Sequence, residues 1–336
     1  MTDARPLLVV APNWLGDAVM ALPAIVDLGR HFASKPLMIA ARPGVSSLFG
    51  MVPVVTAVVK PDVAAIGGAN PAITVLLPNS FASAWLAWRA GVPERWGYAR
   101  DMRRVLLTRA VSRPKQRMHQ GEYYQHLVRE LGIATGPLEP AITIPANAIS
   151  DARRLLTQHG WDEESPLIVL APGAAYGKAK QWIPSYVVRL VTELIARYGV
   201  TCGLIGSRGD AATTRAIRSA VPSQQQPRVL DLAGATTLPV LAATLSLASV
   251  CISNDSGAMH LAGAVGVPVV AIFGPTNEHA TSPLMRRDVP SALLTAHVWC
   301  RPCMLRECPI DHRCMTMIEP EGVREAAETL AHLEPI

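Results

Sequence analysis

Short apolar runs alternate along this chain with longer stretches whose apolar positions recur every three or four residues. The runs Leu7–Ala11, Leu37–Ala40, Val54–Val59 and Ile73–Leu77 are apolar but for Thr56 and Thr74, as expected of strands buried on both faces of a parallel sheet. A helix is predicted from the turn after Ala11 to about Phe32, and an amphipathic helix over 118–132. Residues 136–150 are rich in proline and alanine and have no period, which places a linker there. The pattern then restarts. Strands are predicted at Leu167–Ala171, Thr201–Ile205 and Val229–Leu232, with helices at Trp182–Tyr198, Asp210–Ala220 and 238–248. A last strand–turn–helix–strand unit has its strands at Leu247–Ile252 and Val267–Phe273. Each half opens on an apolar strand closed by proline: Val9-Val10-Ala11-Pro12, then Val169-Leu170-Ala171-Pro172. This is the pattern of an α/β chain with two similar doubly wound domains, 1–150 and 151–336, and a cleft between them.

The bulk numbers exclude more than they select. Half of the 336 residues are hydrophobic and 17% are charged, which suits a globular chain with a large core. A net charge of +5 is too mild to imply nucleic-acid binding, but it suits an acidic substrate or an anionic membrane surface. No apolar run is long enough to span a bilayer, and Pro12, Asn13, Gly16 and Asp17 interrupt the apolar N-terminus where a signal peptide would be uniform. A cytoplasmic protein with reduced thiols is expected.

Polar residues gather where the predicted strands end. Asp17 follows the first strand in Asn13-Trp14-Leu15-Gly16-Asp17, where a carboxylate stabilises a helix N-terminus or serves as a general base. In Pro172–Trp182, Gly173 and Gly177 expose backbone amides, and Lys178 and Lys180 precede a helix. That combination suits a diphosphate but lacks Walker A spacing; a solvated glycine-rich loop is the alternative. Asn254, Asp255 and Ser256, followed by Gly257 and His260, cap a helix after the next buried strand. Gly206–Asp210 reads as an ordinary strand-to-helix turn before it reads as a nucleotide contact. Residues 89–117 carry Arg89, Arg95, Arg100, Arg103, Arg104, Arg109, Arg113, Lys115 and Arg117 against only Glu94 and Asp101, with Trp85, Trp88, Trp96 and Tyr98 among or beside them. They form a solvated face or a site for an anionic acceptor or lipid headgroups. Cys300, Cys303, Cys308 and Cys314, with His312, have a spacing that could hold a structural zinc; otherwise they are reduced, partly buried thiols.

Taken in order, Asn13–Asp17, Pro172–Trp182, Asn254–His260 and Gly274-Pro275-Thr276 resemble the motifs of the bacterial ADP-heptose:lipopolysaccharide heptosyltransferases, an inverting glycosyltransferase family. The resemblance runs over nearly the whole chain, and the segment from Cys300 to Met315 is similar to the heptosyltransferase II branch. It implies a GT-B fold: two Rossmann-like domains facing across a cleft, the first for the acceptor and the second for ADP-heptose. The last helix is expected to pack back on the first domain. The implied acceptor is the first heptose of a heptosyl-Kdo2-lipid A core, reached by peripheral contact with the cytoplasmic face of the inner membrane. By motif, Asp17 is the implied general base. Lys180 binds the diphosphate, Asp255 holds donor sugar hydroxyls, and Gly173, Ser256 and Gly257 line the donor. His260 supports them from behind. Arg100, Arg103 and Arg104 are the implied acceptor contacts. No catalytic metal and no nucleic acid are implied. The sequence departs from the expected pattern at Ala175, where relatives are expected to carry an acidic residue. The competing readings are heptosyltransferase I, a protein heptosyltransferase and a non-catalytic nucleotide-sugar-binding protein. A dehydrogenase is disfavoured because no G-x-G-x-x-G follows the first strand.

Overall fold

The computed structural model describes residues 4–336. The chain divides into two compact units, the first ending at Thr143 and the second running Ile144–Ile336. Each is built on one six-stranded sheet whose pairings are all parallel. The first sheet contains β1 (Leu7–Val10), β2 (Leu37–Ala40), β3 (Ala57–Val59), β4 (Ile73–Leu76), β5 (Glu94–Tyr98) and β6 (Arg109–Val111), in the order β3-β2-β1-β4-β5-β6. The second contains β7 (Leu167–Ala171), β8 (Thr201–Leu204), β9 (Val229–Asp231), β10 (Val250–Asn254), β11 (Val269–Phe273) and β12 (Ser291–Thr295), in the order β12-β11-β10-β7-β8-β9. Read from each unit's own first strand, both have the order 3-2-1-4-5-6. The order reverses between β1 and β4, and again between β7 and β10. At such a switch point the connections leave in opposite directions and open a crevice at the strands' carboxyl ends.

The central strands need apolar residues on both faces, and they have them. Val9 lies beside Ile39 and Val75, and Leu170 beside Ile252 and Leu204, all but fully buried. Each such side chain contributes about 1.5–3 kcal/mol by leaving water. Helix Pro184–Tyr198 lays Leu190, Val191 and Leu194 against the second sheet. Its proline sits in the first turn, where no backbone donor is required, so the helix begins two residues after the predicted Trp182.

Several expectations are adjusted. The stretch 136–150 is not all linker, because helix Ala146–Gln158 begins inside it, and Ala148 and Ala152 pack on Ala243. The units therefore divide a few residues before position 150. The last helix, Pro320–Ala331, belongs to the second unit. It lies on helix Pro184–Tyr198 and on β10–β12, with Val323 and Ala327 in the second unit's core. β10 begins at Val250, because Leu247 still closes helix Leu238–Ser246. Three strands, β5, β6 and β12, were not foreseen. No helix among the described residues is long and apolar enough to cross a membrane.

Candidate active site

The second switch point collects most of the predicted residues. β7 runs out into Pro172–Trp182 and β10 into Asp255-Ser256-Gly257, so the two motifs are neighbours. Asn254 joins them. Its Nδ2 donates to the carbonyls of Pro172 (3.0 Å) and Gly173 (3.2 Å), and its Oδ1 accepts from the Trp182 amide (3.2 Å). A buried amide that satisfies three backbone groups pins both ends of the loop. The Trp182 indole donates to the Ile318 carbonyl at 2.9 Å. Within the pinned loop, Lys180 Nζ meets Asp255 Oδ2 at 2.6 Å, and the two side chains are only 14% and 6% exposed. The ammonium also stands 4.9 Å from the centre of the Tyr176 ring.

Next to Asp255, helix Gly257–Val265 starts from an extended Ser256, whose hydroxyl meets that of Ser253 at 2.9 Å. The first-turn amides of this helix and the Lys180 ammonium lie at one strand end, an arrangement suited to a diphosphate. His260 is buried one turn in. Two glycines are required by close approach. A Cβ on Gly173 would stand 2.3 Å from Asp210 Oδ1, and one on Gly177 would stand 2.4 Å from the Arg306 carbonyl. Asp210 belongs to the turn after β8, where its carboxylate accepts from the Ser207 amide and hydroxyl. The sequence reading took this turn as ordinary, yet it forms the wall beneath Gly173.

The segment after β12 backs the loop. Tyr176 donates to the Met304 carbonyl at 3.0 Å, Ala179 N donates to the Arg306 carbonyl at 3.0 Å, and His312 Nε2 meets the Ala179 carbonyl at 2.7 Å. Arg301 ties the same segment to Gly274-Pro275-Thr276, reaching the carbonyls of Gly274 (2.9 Å) and Thr276 (3.1 Å) and the Glu278 carboxylate (2.8 Å). Burial opposes ionisation of Glu278, but the Arg301 hydrogen bond and charge outweigh it and hold the carboxyl below its usual range. His312 is thus committed to a backbone carbonyl. Cys300, Cys303, Cys308 and Cys314, the residues expected to hold a structural zinc, lie in and beside this segment. Among the described residues no three His, Cys, Asp or Glu side chains are grouped to hold a metal ion. Cys303 is exposed and Cys314 is buried in the core. Burial first, then the neighbouring thiols, push Cys314 up to about 11, so it keeps its proton at neutral pH.

Asp17 belongs to the other unit. It lies half-buried in the first turn of helix Leu15–Met20, directly after β1 and at that unit's switch point. The helix packs on helix Gln120–Glu130, which presents the buried Tyr124. Burial first, then the Asp17 charge, raise the Tyr124 phenol well above its usual range, so Asp17 has a neutral hydroxyl for a neighbour. Beyond β4, Asn79 donates to the Tyr123 hydroxyl at 3.0 Å. Asn79, Tyr123 and Tyr124 were not singled out from sequence. The available signal was a Pro-Asn-Ser triplet closing an apolar run.

The three arginines expected to meet the acceptor part company. Arg100 and Arg104 are exposed. Arg103 is fully buried and cannot present its guanidinium to an acceptor. Its Nε donates to the Tyr98 carbonyl (2.8 Å), and its Nη1 to the Pro78 carbonyl (2.5 Å) and the Ser83 hydroxyl (3.0 Å). Burial lowers its pKa to about 10, still charged at neutral pH. Arg103 therefore fastens the turn after β4.

The profile of Glycosyltransferase family 9 (heptosyltransferase) matches residues 65–313. The chain is similar to lipopolysaccharide heptosyltransferase 2 of Escherichia coli, 28% identical over 310 residues, covering 87% of this chain and 89% of that one. It is also similar to lipooligosaccharide heptosyltransferase 2 of Haemophilus influenzae, 26% identical over 297 residues, covering 83% and 86%. Among solved structures, Escherichia coli ADP-heptose lps heptosyltransferase II superposes with a TM-score of 0.82 at 25% identity, over 97% of this chain and 98% of that one.

Proposed function

The chain belongs to glycosyltransferase family 9, the heptosyltransferases, and from that premise we propose that it moves L-glycero-D-manno-heptose from ADP-heptose to the first heptose of a lipopolysaccharide inner core. Similarity to two heptosyltransferase 2 enzymes over most of the chain supports the choice of acceptor. The observation that carries the donor reading is the nearly buried Lys180–Asp255 pair set beside the first turn of helix Gly257–Val265. A binding crevice keeps a lysine there when a ligand must meet positive charge.

In this reading the second unit holds the donor and the first unit the acceptor. Asp17 takes the proton of the attacking hydroxyl. The acceptor oxygen bonds to the anomeric carbon while the bond from that carbon to the diphosphate oxygen breaks, with inversion. The charge left on ADP is met by Lys180 and the helix N-terminus. Asp255 has a double task, since the carboxylate that would hold donor hydroxyls also aims Lys180. Arg100 and Arg104 attract the anionic acceptor, and the enzyme works from the cytoplasmic face of the inner membrane as a peripheral protein. The test is mass spectrometry of the product from purified protein, ADP-heptose and heptosyl-Kdo2-lipid A. A gain of one heptose is expected. An unchanged acceptor, or a gain only when Kdo2-lipid A is supplied instead, would overturn the assignment.

A further inference from the structure

Helix Phe81–Arg89 is amphipathic in the wrong sense for a surface helix. Its inward positions are the small residues Ser83, Ala84 and Ala87, and the two alanines belong to the core that includes Leu8, Leu76 and Val92. Its outward positions are Phe81, Trp85 and Trp88, 43%, 44% and 45% exposed. The spacing i, i+4, i+7 puts all three on one stripe. The rings support one another, Phe81 on Trp85 at 6.2 Å and Trp85 on Trp88 at 4.9 Å between centroids. Packing of the core does not need them, and a soluble surface does not favour them.

A second apolar projection stands beside the stripe. The short turn Arg103–Leu106 packs on this helix, and Met102 and Val105 on it are 90% and 85% exposed. Asp101 and Met102 both have left-handed backbones, φ 50° and 58°, which a bulky side chain rarely adopts. Arginines rim the apolar residues: Arg89 ends the helix, Arg104 lies between Met102 and Val105 on the turn, and Arg100 is partly neutralised by Asp101 at 3.1 Å. Phe81 and the Met102 turn follow β4 and β5, so they stand at the sheet end that also carries Asp17.

We infer that this face, Phe81, Trp85 and Trp88 with Met102 and Val105, inserts into an anionic phospholipid surface. Tryptophan favours the boundary between headgroups and acyl chains, and the arginine rim matches phosphate above an apolar layer. The inference rests on the acceptor reading for its choice of a lipid surface over an acidic protein. It brings the base-bearing end of the first unit to the membrane with no spanning helix.

The test is sedimentation of the full chain with vesicles of phosphatidylglycerol and phosphatidylethanolamine, in the absence of donor and acceptor. Wild type should partition onto these vesicles. The Trp85→Gln, Trp88→Gln double variant and the Met102→Ser, Val105→Ser double variant should each partition about tenfold less or weaker, with melting temperatures unchanged. Unchanged partitioning in both variants would overturn the inference. So would light scattering that shows a wild-type dimer dissociated by the tryptophan substitutions, since the face would then cover a second copy. Transfer to a deacylated, water-soluble acceptor should be the same in wild type and variants; its selective loss would make the face a sugar site and also overturn the inference. Vesicle partitioning needs no transfer chemistry, so it stands or falls separately from the proposed reaction.

Discussion

Asn254 offers no acid, base or charge, yet it holds the donor loop to β10 through three backbone contacts. The reactive residues depend on such supports, and substitutions separate the two kinds. Asp17→Asn keeps the size but removes the carboxylate proposed as the base. Turnover should fall by about 100-fold or more with ADP-heptose affinity nearly unchanged by calorimetry. If Lys180 meets the diphosphate both before and during bond breaking, as proposed, Lys180→Met should lower donor affinity about tenfold and slow transfer with it. It also strands the nearly buried Asp255, which costs about 3 kcal/mol of stability. Adding Asp255→Asn should restore the melting temperature but not donor binding; recovery of binding as well would show that Lys180 acts only as the counter-charge of Asp255. Arg103→Met leaves the Pro78 and Tyr98 carbonyls without their donor and should cost about 3 kcal/mol, read in thermal or urea unfolding. The Arg100→Ser, Arg104→Ser variant should melt like wild type and raise the KM for acceptor.

At the scale of elements, the loop Pro172–Trp182 is anchored at its end by the buried Trp182. It is backed by the segment from Arg301 to His312, which is itself moored through Arg301 and Glu278. The Glu278 carboxyl lies below its ordinary value of 4.5 in the folded protein, so its pairing stabilises above that pH and is lost as pH falls through the lowered folded value. The difference in melting temperature between wild type and Glu278→Gln should therefore be constant near neutrality and shrink to nothing in acid below the ordinary carboxylate range. A difference that persists there would assign the effect to packing. The elements also differ in how legible they were. β1, β2 and β7 are buried on both faces and stand out as apolar runs. β5 and β6 carry Glu94, Arg95, Trp96 and Arg109 on partly exposed ends, so their pattern is that of a charged surface stretch. Parallel pairing makes them strands, β5 on β4 and β6 on β5, and the partner lies outside each segment's own sequence window.

Across the whole molecule, one topology occurs twice, and each copy carries its own chemistry at the same place. The first unit has a carboxylate at its switch point; the second has a lysine and a helix N-terminus. With positive charge supplied by the protein, transfer should continue in EDTA at the rate seen without it, and an absolute demand for added divalent ions would contradict the roles given to Lys180 and Gly257. The sequence by itself determined the two doubly wound halves, because period and length are local properties. It also singled out Asp17, Lys180 and Asp255 as candidates, because the motifs are contiguous around them. Tertiary structure alone decided which residues touch. It joined Lys180 to Asp255 across 75 positions of chain, buried Arg103 while leaving Arg100 and Arg104 in water, buried Cys314 while leaving Cys303 exposed, and turned the rings of Trp85 and Trp88 outward. Burial and partner choice depend on contacts between residues distant in sequence, and no window along the chain contains them.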